Sequence, residues 1–309
     1  MSSIFTLSIV QSALELGLIY SLVALALFIS FSILNIADLS TDGCFTLGCA
    51  VCAMVTIAGH PVLALFAAMA AGICSGYITA FLQTKMGIES ILAGIIVNTG
   101  LYTINIAVMG FASNVNLFNC DTIFSIAKNA IGGNWYKIFV VAGIVLVVGL
   151  LLAWFLNTRL GLSIRATGDN ASMVSASSIN PTMTVTVGLC VANALTALSG
   201  GILGQYQKSC DINLGTGMVT IALASLIIGE SLVGKGSVAR RVIGVVLGSC
   251  LYRFIVAVAL RLSVPAECLK LVSAIIVAVA IAFPYLKKHA AFVRQKSNAK
   301  SRIKNGGMQ

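Results

Sequence analysis

Charge is scarce in this sequence. Of 309 residues, 9 are acidic, 19 are Lys or Arg and 2 are His. Charged residues make up 9% of the chain, against about 25% in soluble domains. A surface so poor in charge excludes an ordinary water-soluble fold. Aromatic residues are few as well, at 7%, so the 59% apolar content is chiefly aliphatic. Two histidines and no Cys/His cluster argue against a zinc or redox site. Among nine cysteines only Cys49 and Cys52 have CxxC spacing, and they lie in an apolar run where cysteine acts as a small hydrophobe. No HExxH motif and no nucleophile–base pair point to an intramembrane enzyme. Met1 to Phe5 carry no basic side chain, and the first apolar run is too long for a signal core. No cleavable signal is expected.

What the chain does have is long apolar runs. A membrane span needs roughly 20 apolar residues at about 1.5 Å rise each. Nine segments qualify, at about 7–33, 43–59, 61–83, 90–109, 137–157, 182–204, 217–234, 241–260 and 266–286. The expectation is an all-α, polytopic transmembrane helix bundle over residues 1–286, with a basic tail at 287–309.

Basic residues in short loops set orientation. Alternation places Lys85, Arg159, Arg165, Lys235, Arg240, Arg241 and the tail on one side. The tail adds Lys287, Lys288, Arg294, Lys296, Lys300, Arg302 and Lys304, so that side holds 13 of the 19 basic residues. It is taken as cytoplasmic, with the C-terminus inside and the N-terminus outside. The net charge of +10 thus reads as a topology signal. Basic tails beside spans meet anionic lipid, and nucleic acid is not an expected partner.

Polar groups inside a membrane face a bundle interior or a water-filled path. Ser8, Gln11 and Glu15 share one helix face by 3.6-residue spacing; Asn98, Tyr102 and Asn105 share another; Asn193, Thr196 and Gly200 a third. Each face reads either as helix–helix glue or as a translocation pathway. Gly72-xxx-Gly76, Gly200-xxx-Gly204 and Gly244-xxx-Gly248 read as close-packing motifs. Asp38-Leu39-Ser40-Thr41-Asp42-Gly43 reads as a helix N-cap turn, or as a helix break within the membrane that lines the pathway. Glu230 is the remaining pathway candidate. Its segment, Gly229 to Gly236, superficially matches the phosphate-binding pattern G-x-x-x-x-G-K-[ST], but Gly236 stands where a metal-holding hydroxyl is required and no strand precedes it. No ATP hydrolysis is expected in this chain.

The one long inside connection is 158–181. Asp169 or Asn170 would cap a short helix near 170–179, presenting Met173, Val174 and Ala176 on adjoining faces. A helix so short cannot stand alone in water. It reads either as resting on lipid headgroups or as a peg docking into a cytoplasmic partner.

Four stretches together resemble permeases of bacterial ABC importers in the branched-chain amino acid and ribose group, in particular the branch paired with binding proteins for aromatic amino acids. They are Ile36 to Ser40 with Gly43, Leu47 and Gly48; Arg165 to Asn170; Ala197 to Gly201; and Ile228 to Leu232 through Gly236 with Gly244 and Gly248. The resemblance implies a bacterial inner-membrane permease that imports a small polar solute by alternating access. It implies a second permease copy, two cytoplasmic ATPases that supply the ATP and magnesium chemistry, and an external binding protein, with no cofactor in this chain. It also implies that the segment near 169–179 docks on the ATPase. Glu230 stands where sugar permeases of the group usually have a small residue, which weakens a sugar as the solute; the resemblance implies an amino acid, aromatic before branched-chain. The competing reading is a self-contained proton-coupled transporter, with Glu15, Asp38 or Glu230 as proton relay.

Overall fold

The computed structural model describes residues 7–261 apart from 134 and 235, with isolated positions between 271 and 282. Apart from those positions, the ninth expected segment and the basic tail lie outside the described residues.

The other eight apolar segments are all helical. In chain order they are α1 (Leu7–Leu27), which continues as a π-helical turn (Phe28–Ile33), α2 (Thr41–Ile57), α3 (Pro61–Thr84) and α4 (Ser90–Val108), followed, after the short strand β1 (Asn114–Asn116) and helix α5 (Ile123–Ile131), by α6 (Tyr136–Phe155). Then come α7 (Arg159–Asp169), α8 (Ala171–Ala176), α9 (Pro181–Gln207), strand β2 (Ser209–Asp211), α10 (Met218–Val233) and α11 (Val238–Arg261). Long apolar runs become helices because lipid offers backbone groups no partner, so each segment must satisfy its own. Six helices of the described residues are long and apolar enough to cross a membrane; α2 and α10, with 17 and 16 residues, are shorter.

Local sequence sets the boundaries. Pro61 and Pro181 each occupy the first turn of a helix, where a missing N–H costs nothing. The Asn180 side chain accepts from the Thr182 N–H at the start of α9. Thr122 and Ser125 close a capping box on α5.

α1 and α9 form the buried centre, and α3, α4 and α6 turn much of their surface outward. Exposed Phe139, Leu146, Leu150 and Trp154 run along α6, as expected of a helix solvated by lipid tails. The small-residue motifs sit at the closest crossings. A Cβ at Gly72 would strike the Asn193 carbonyl, one at Gly200 the Phe45 carbonyl, and one at Gly248 the Ser225 carbonyl. Antiparallel β1 and β2 pair Asn114 with Asp211 and Asn116 with Ser209. They close one end of the bundle, while α7 and α8 lie at the opposite end, before α9 begins.

Candidate functional site

The chain from Asn35 to Ser40 enters the bundle without regular structure. Asn35 leaves the π turn in a left-handed conformation, φ 56°, and its side-chain amide donates to the Gly168 carbonyl at 2.9 Å. Asp38 then folds onto its own chain. Its Oδ1 accepts from the Ser40 N–H at 2.8 Å and the Ser40 hydroxyl at 2.6 Å, and its Oδ2 accepts from Asn193 Nδ2 at 3.1 Å. Ser40 Oγ also accepts from Thr79 at 3.3 Å. Asp38, Ser40 and Asn193 are all buried. Asn193 lies near the middle of the 27-residue α9, so this break sits deep in the bundle.

The capping expectation for this segment needs correction. Ser40 holds the N-cap position of α2 but makes no side-chain cap bond. Asp38 is taken up by Ser40 and Asn193. Asp42 caps a different helix: its Oδ2 accepts from the Gly217 N–H and its Oδ1 from the Val219 N–H, both at 2.9 Å. These N–H groups belong to the free start of α10, where a carboxylate is electrostatically favoured.

Asp42 also borders a chamber of about 430 Å³. Its walls are Asp42, Gly43 and Thr46 of α2, Asn98, Thr99, Tyr102, Thr103 and Asn105 of α4, and Ile212, Asn213 and Thr216 before α10. The α4 face expected from helical spacing is thus gathered on one wall. Asn105 Nδ2 donates to the Gly43 carbonyl at 3.1 Å, while its Oδ1 is buried without a partner. The threonines and Asn213 carry no distinctive signal in the sequence, since isolated Thr inside an apolar helix and Asn in a short connection are common.

The other candidates lie elsewhere. Glu15 lines a second cavity, also of about 430 Å³, with Gln11, Lys128, Lys137 and Tyr206. It accepts from Tyr206 at 2.7 Å and from Gln11 at 3.0 Å. Lys137 lies 4.7 Å from the Tyr206 ring centroid. Glu230, near the end of α10, pairs with Arg241 of α11 at 2.5 Å and accepts from Ser32 of the π turn at 2.7 Å. The Arg241 guanidinium stacks 4.7 Å from the Phe28 ring centroid. Sequence reading treated Arg241 only as an orientation signal and passed over Ser32. Gly229 to Val233 are helical, unlike a phosphate-binding loop.

The long connection differs from expectation in two ways. It holds two helices, and α8 ends at Ala176. Asn170 caps α8, accepting from the Met173 N–H at 3.1 Å, while Asp169 ends α7. Met173 is 68% exposed and Ala176 is exposed, but Val174 is 5% exposed and turned inward. Val174 is therefore part of the packing that holds α8, whereas Met173 and Ala176, like Asp169 and Asn170, are exposed and free to meet a partner. Helix α7 docks its Thr167 hydroxyl against that of Thr184 at 2.8 Å, and a Cβ at Gly168 would fall on the Ile33 carbonyl. The π turn is therefore in backbone contact with α7, beneath the Asp38 break.

Comparison with known proteins gives this arrangement its context. Residues 9–281 match the family described as branched-chain amino acid transport system, permease component. A tyrosine transport system permease protein of Clostridioides difficile is 33% identical over 297 residues, covering 94% of this chain and 98% of the relative. The ribose import permease protein of Escherichia coli is 27% identical over 233 residues, covering 71% of this chain and 67% of the relative. No solved structure matches the chain.

Proposed function

The chain belongs to the family of branched-chain amino acid transport system permease components, a multi-pass inner-membrane transport subunit, and from that premise we propose that it carries an amino acid into the cytoplasm by alternating access. Energy comes from separate ATPase subunits, and an external binding protein delivers the solute. The observation that carries this reading is the chamber. Asp42, Asn98, Tyr102 and Asn105 converge on one space beside the deep Asp38 break.

A second copy of the chain completes the path. Tyr102, Thr99 and Thr103 are exposed on α4 although that helix is span-length and apolar. Lipid tails satisfy no hydroxyl, so a polar chamber wall opening on that face calls for protein cover. At the opposite end α8 offers Met173 and Ala176 to the ATPase. From there α7, the π turn and the Asp38 break form a continuous chain of contacts toward the chamber.

The test uses the purified permease in liposomes with tyrosine as probe. Under an imposed proton gradient alone, no concentrative uptake is expected; adding the cognate ATPase, binding protein and ATP restores it. Uptake driven by the gradient alone would promote the proton-coupled alternative and make Glu15, Asp38 and Glu230 its carriers. Met173→Asp is expected to abolish ATP-driven uptake and ATPase co-purification while membrane abundance stays normal, because an unpaired carboxylate buried at the interface costs several kcal/mol or more. Normal uptake by that variant would remove α8 from the docking surface.

A further inference from the structure

We propose that the chamber selects the ammonium end of its solute, with Asp42 as countercharge and Asn105 Oδ1 as acceptor. The inference rests on the reading above that the chamber belongs to the transport path. It adds a charge rule that the family membership does not contain.

The first observation is the charge of the walls. Asp42 is the only acidic side chain among the eleven lining residues, and none of them is Lys, Arg or His. Each Asp42 oxygen accepts one backbone N–H from the start of α10, which fixes the carboxylate and leaves each oxygen further acceptor capacity. The helix end contributes roughly half a positive charge, less than the full negative charge it faces. An ionised Asp42 therefore makes the net potential in the chamber negative.

The second observation is independent. Asn105 is 1% exposed, and its amide orientation is set by the bond from Nδ2 to the Gly43 carbonyl. That leaves Oδ1 buried with no donor, in a residue that borders the chamber. A buried acceptor without a partner is unfavourable, and an incoming N–H group relieves it with a small side-chain shift. A solute carboxylate would find no cation here. The contrast is the second cavity, where Lys128 and Lys137 stand at the wall.

Selectivity can be read without knowing the solute. Thr103 lines the chamber and serves as the reporter position. Thr103→Cys permease in lipid nanodiscs would be labelled with a cationic and an anionic methanethiosulfonate, each rate divided by its rate on a free thiol. The unsubstituted chain supplies the background from native cysteines. The cation is expected to react faster by about tenfold or more. Asp42→Asn should bring the ratio near one, and Asp42→Asn with Asn98→Asp should restore it, which a purely structural role of Asp42 would not do. Tyramine should slow labelling and 3-(4-hydroxyphenyl)propionate should not. Asn105→Leu should keep the cation preference but weaken tyramine protection, and it carries the test of Asn105 even if the Asp42 variants fail to fold. Equal or anion-favoured labelling would overturn the charge rule and leave the transport path standing. No labelling by either reagent would overturn both.

Discussion

At its first turn α10 meets Asp42, an acid from another helix that accepts two backbone N–H groups. Near its last turn α10 carries its own acid, Glu230, which faces the Arg241 guanidinium and the Ser32 hydroxyl. The first anchor holds backbone, so the Val219 side chain hardly matters to it, while Gly217 supplies the left-handed turn, φ 86°. The second joins three side chains from three elements and is partly exposed, with Arg241 and Glu230 at 21% and 23%. A backbone anchor makes a fixed wall, whereas a side-chain pair makes a joint that can open. On this contrast the chamber end of α10 is expected to be the more firmly held, and the end against the π turn the easier to release.

Both anchors presuppose that α10 lies flat on α11, so the largest effect should come from separating them. A Cβ at Gly248 would strike the Ser225 carbonyl and lie 2.5 Å from the Gly229 nitrogen. Gly248→Leu forces the two helices apart. Overpacking of this kind costs about 1–3 kcal/mol or more, and membrane abundance should fall sharply. Normal abundance and an unchanged melting profile would show that the α10–α11 seam is loose and that neither end needs it.

Next in size is the fixed anchor. Asp42→Ala leaves the part-buried Gly217 and Val219 N–H groups without their acceptor, at about 1 kcal/mol for each donor. Glu230→Ala leaves Arg241 with Ser32, the Phe28 ring and partial solvent, so its cost should be about 1 kcal/mol or less. Melting of the purified variants measures the difference. A larger loss for Glu230→Ala than for Asp42→Ala would invert the comparison and make the π-turn end the structural one.

Much of this was legible in the sequence and some was hidden for physical reasons. The apolar runs announced their helices, because a membrane span must be long and must satisfy its own backbone. The α4 wall was legible because Asn98, Tyr102 and Asn105 repeat at helical spacing. The partner of Asp42 was not, since its donors are backbone N–H groups 175 and 177 positions away, which leave no side-chain signature. Helix α7 was hidden by Gly161 and Gly168. Glycine lowers helix propensity by about 1 kcal/mol, so the stretch read as loop. The structure puts these glycines where backbones touch, against the carbonyls of Phe155 and Ile33. Val174 was misread because six residues of helix give too few turns for spacing to tell the inward face from the outward one.

The finest distinction between the two ends of α10 is their response to salt. Glu230 and Arg241 are reached by solvent, and raising ionic strength from about 0.1 to about 1 M shortens the screening length from ~10 to ~3 Å. Their coupling, taken from a double-mutant cycle of Glu230→Gln and Arg241→Gln, should be at most about 1 kcal/mol in low salt and should shrink as salt rises. The Asp42 anchor should respond less, because its two direct hydrogen bonds to backbone N–H groups persist when the helix-dipole attraction is screened. Melting of Asp42→Asn relative to the unsubstituted chain should therefore shift by nearly the same amount at both salt levels. A strongly salt-dependent Asp42 effect would mean that the hydrogen bonds to Gly217 and Val219 do not hold the start of α10. A salt-insensitive Glu230–Arg241 coupling would mean that the pair is sealed, and the joint would have to be sought elsewhere on the π turn, at Asn35 and Gly168.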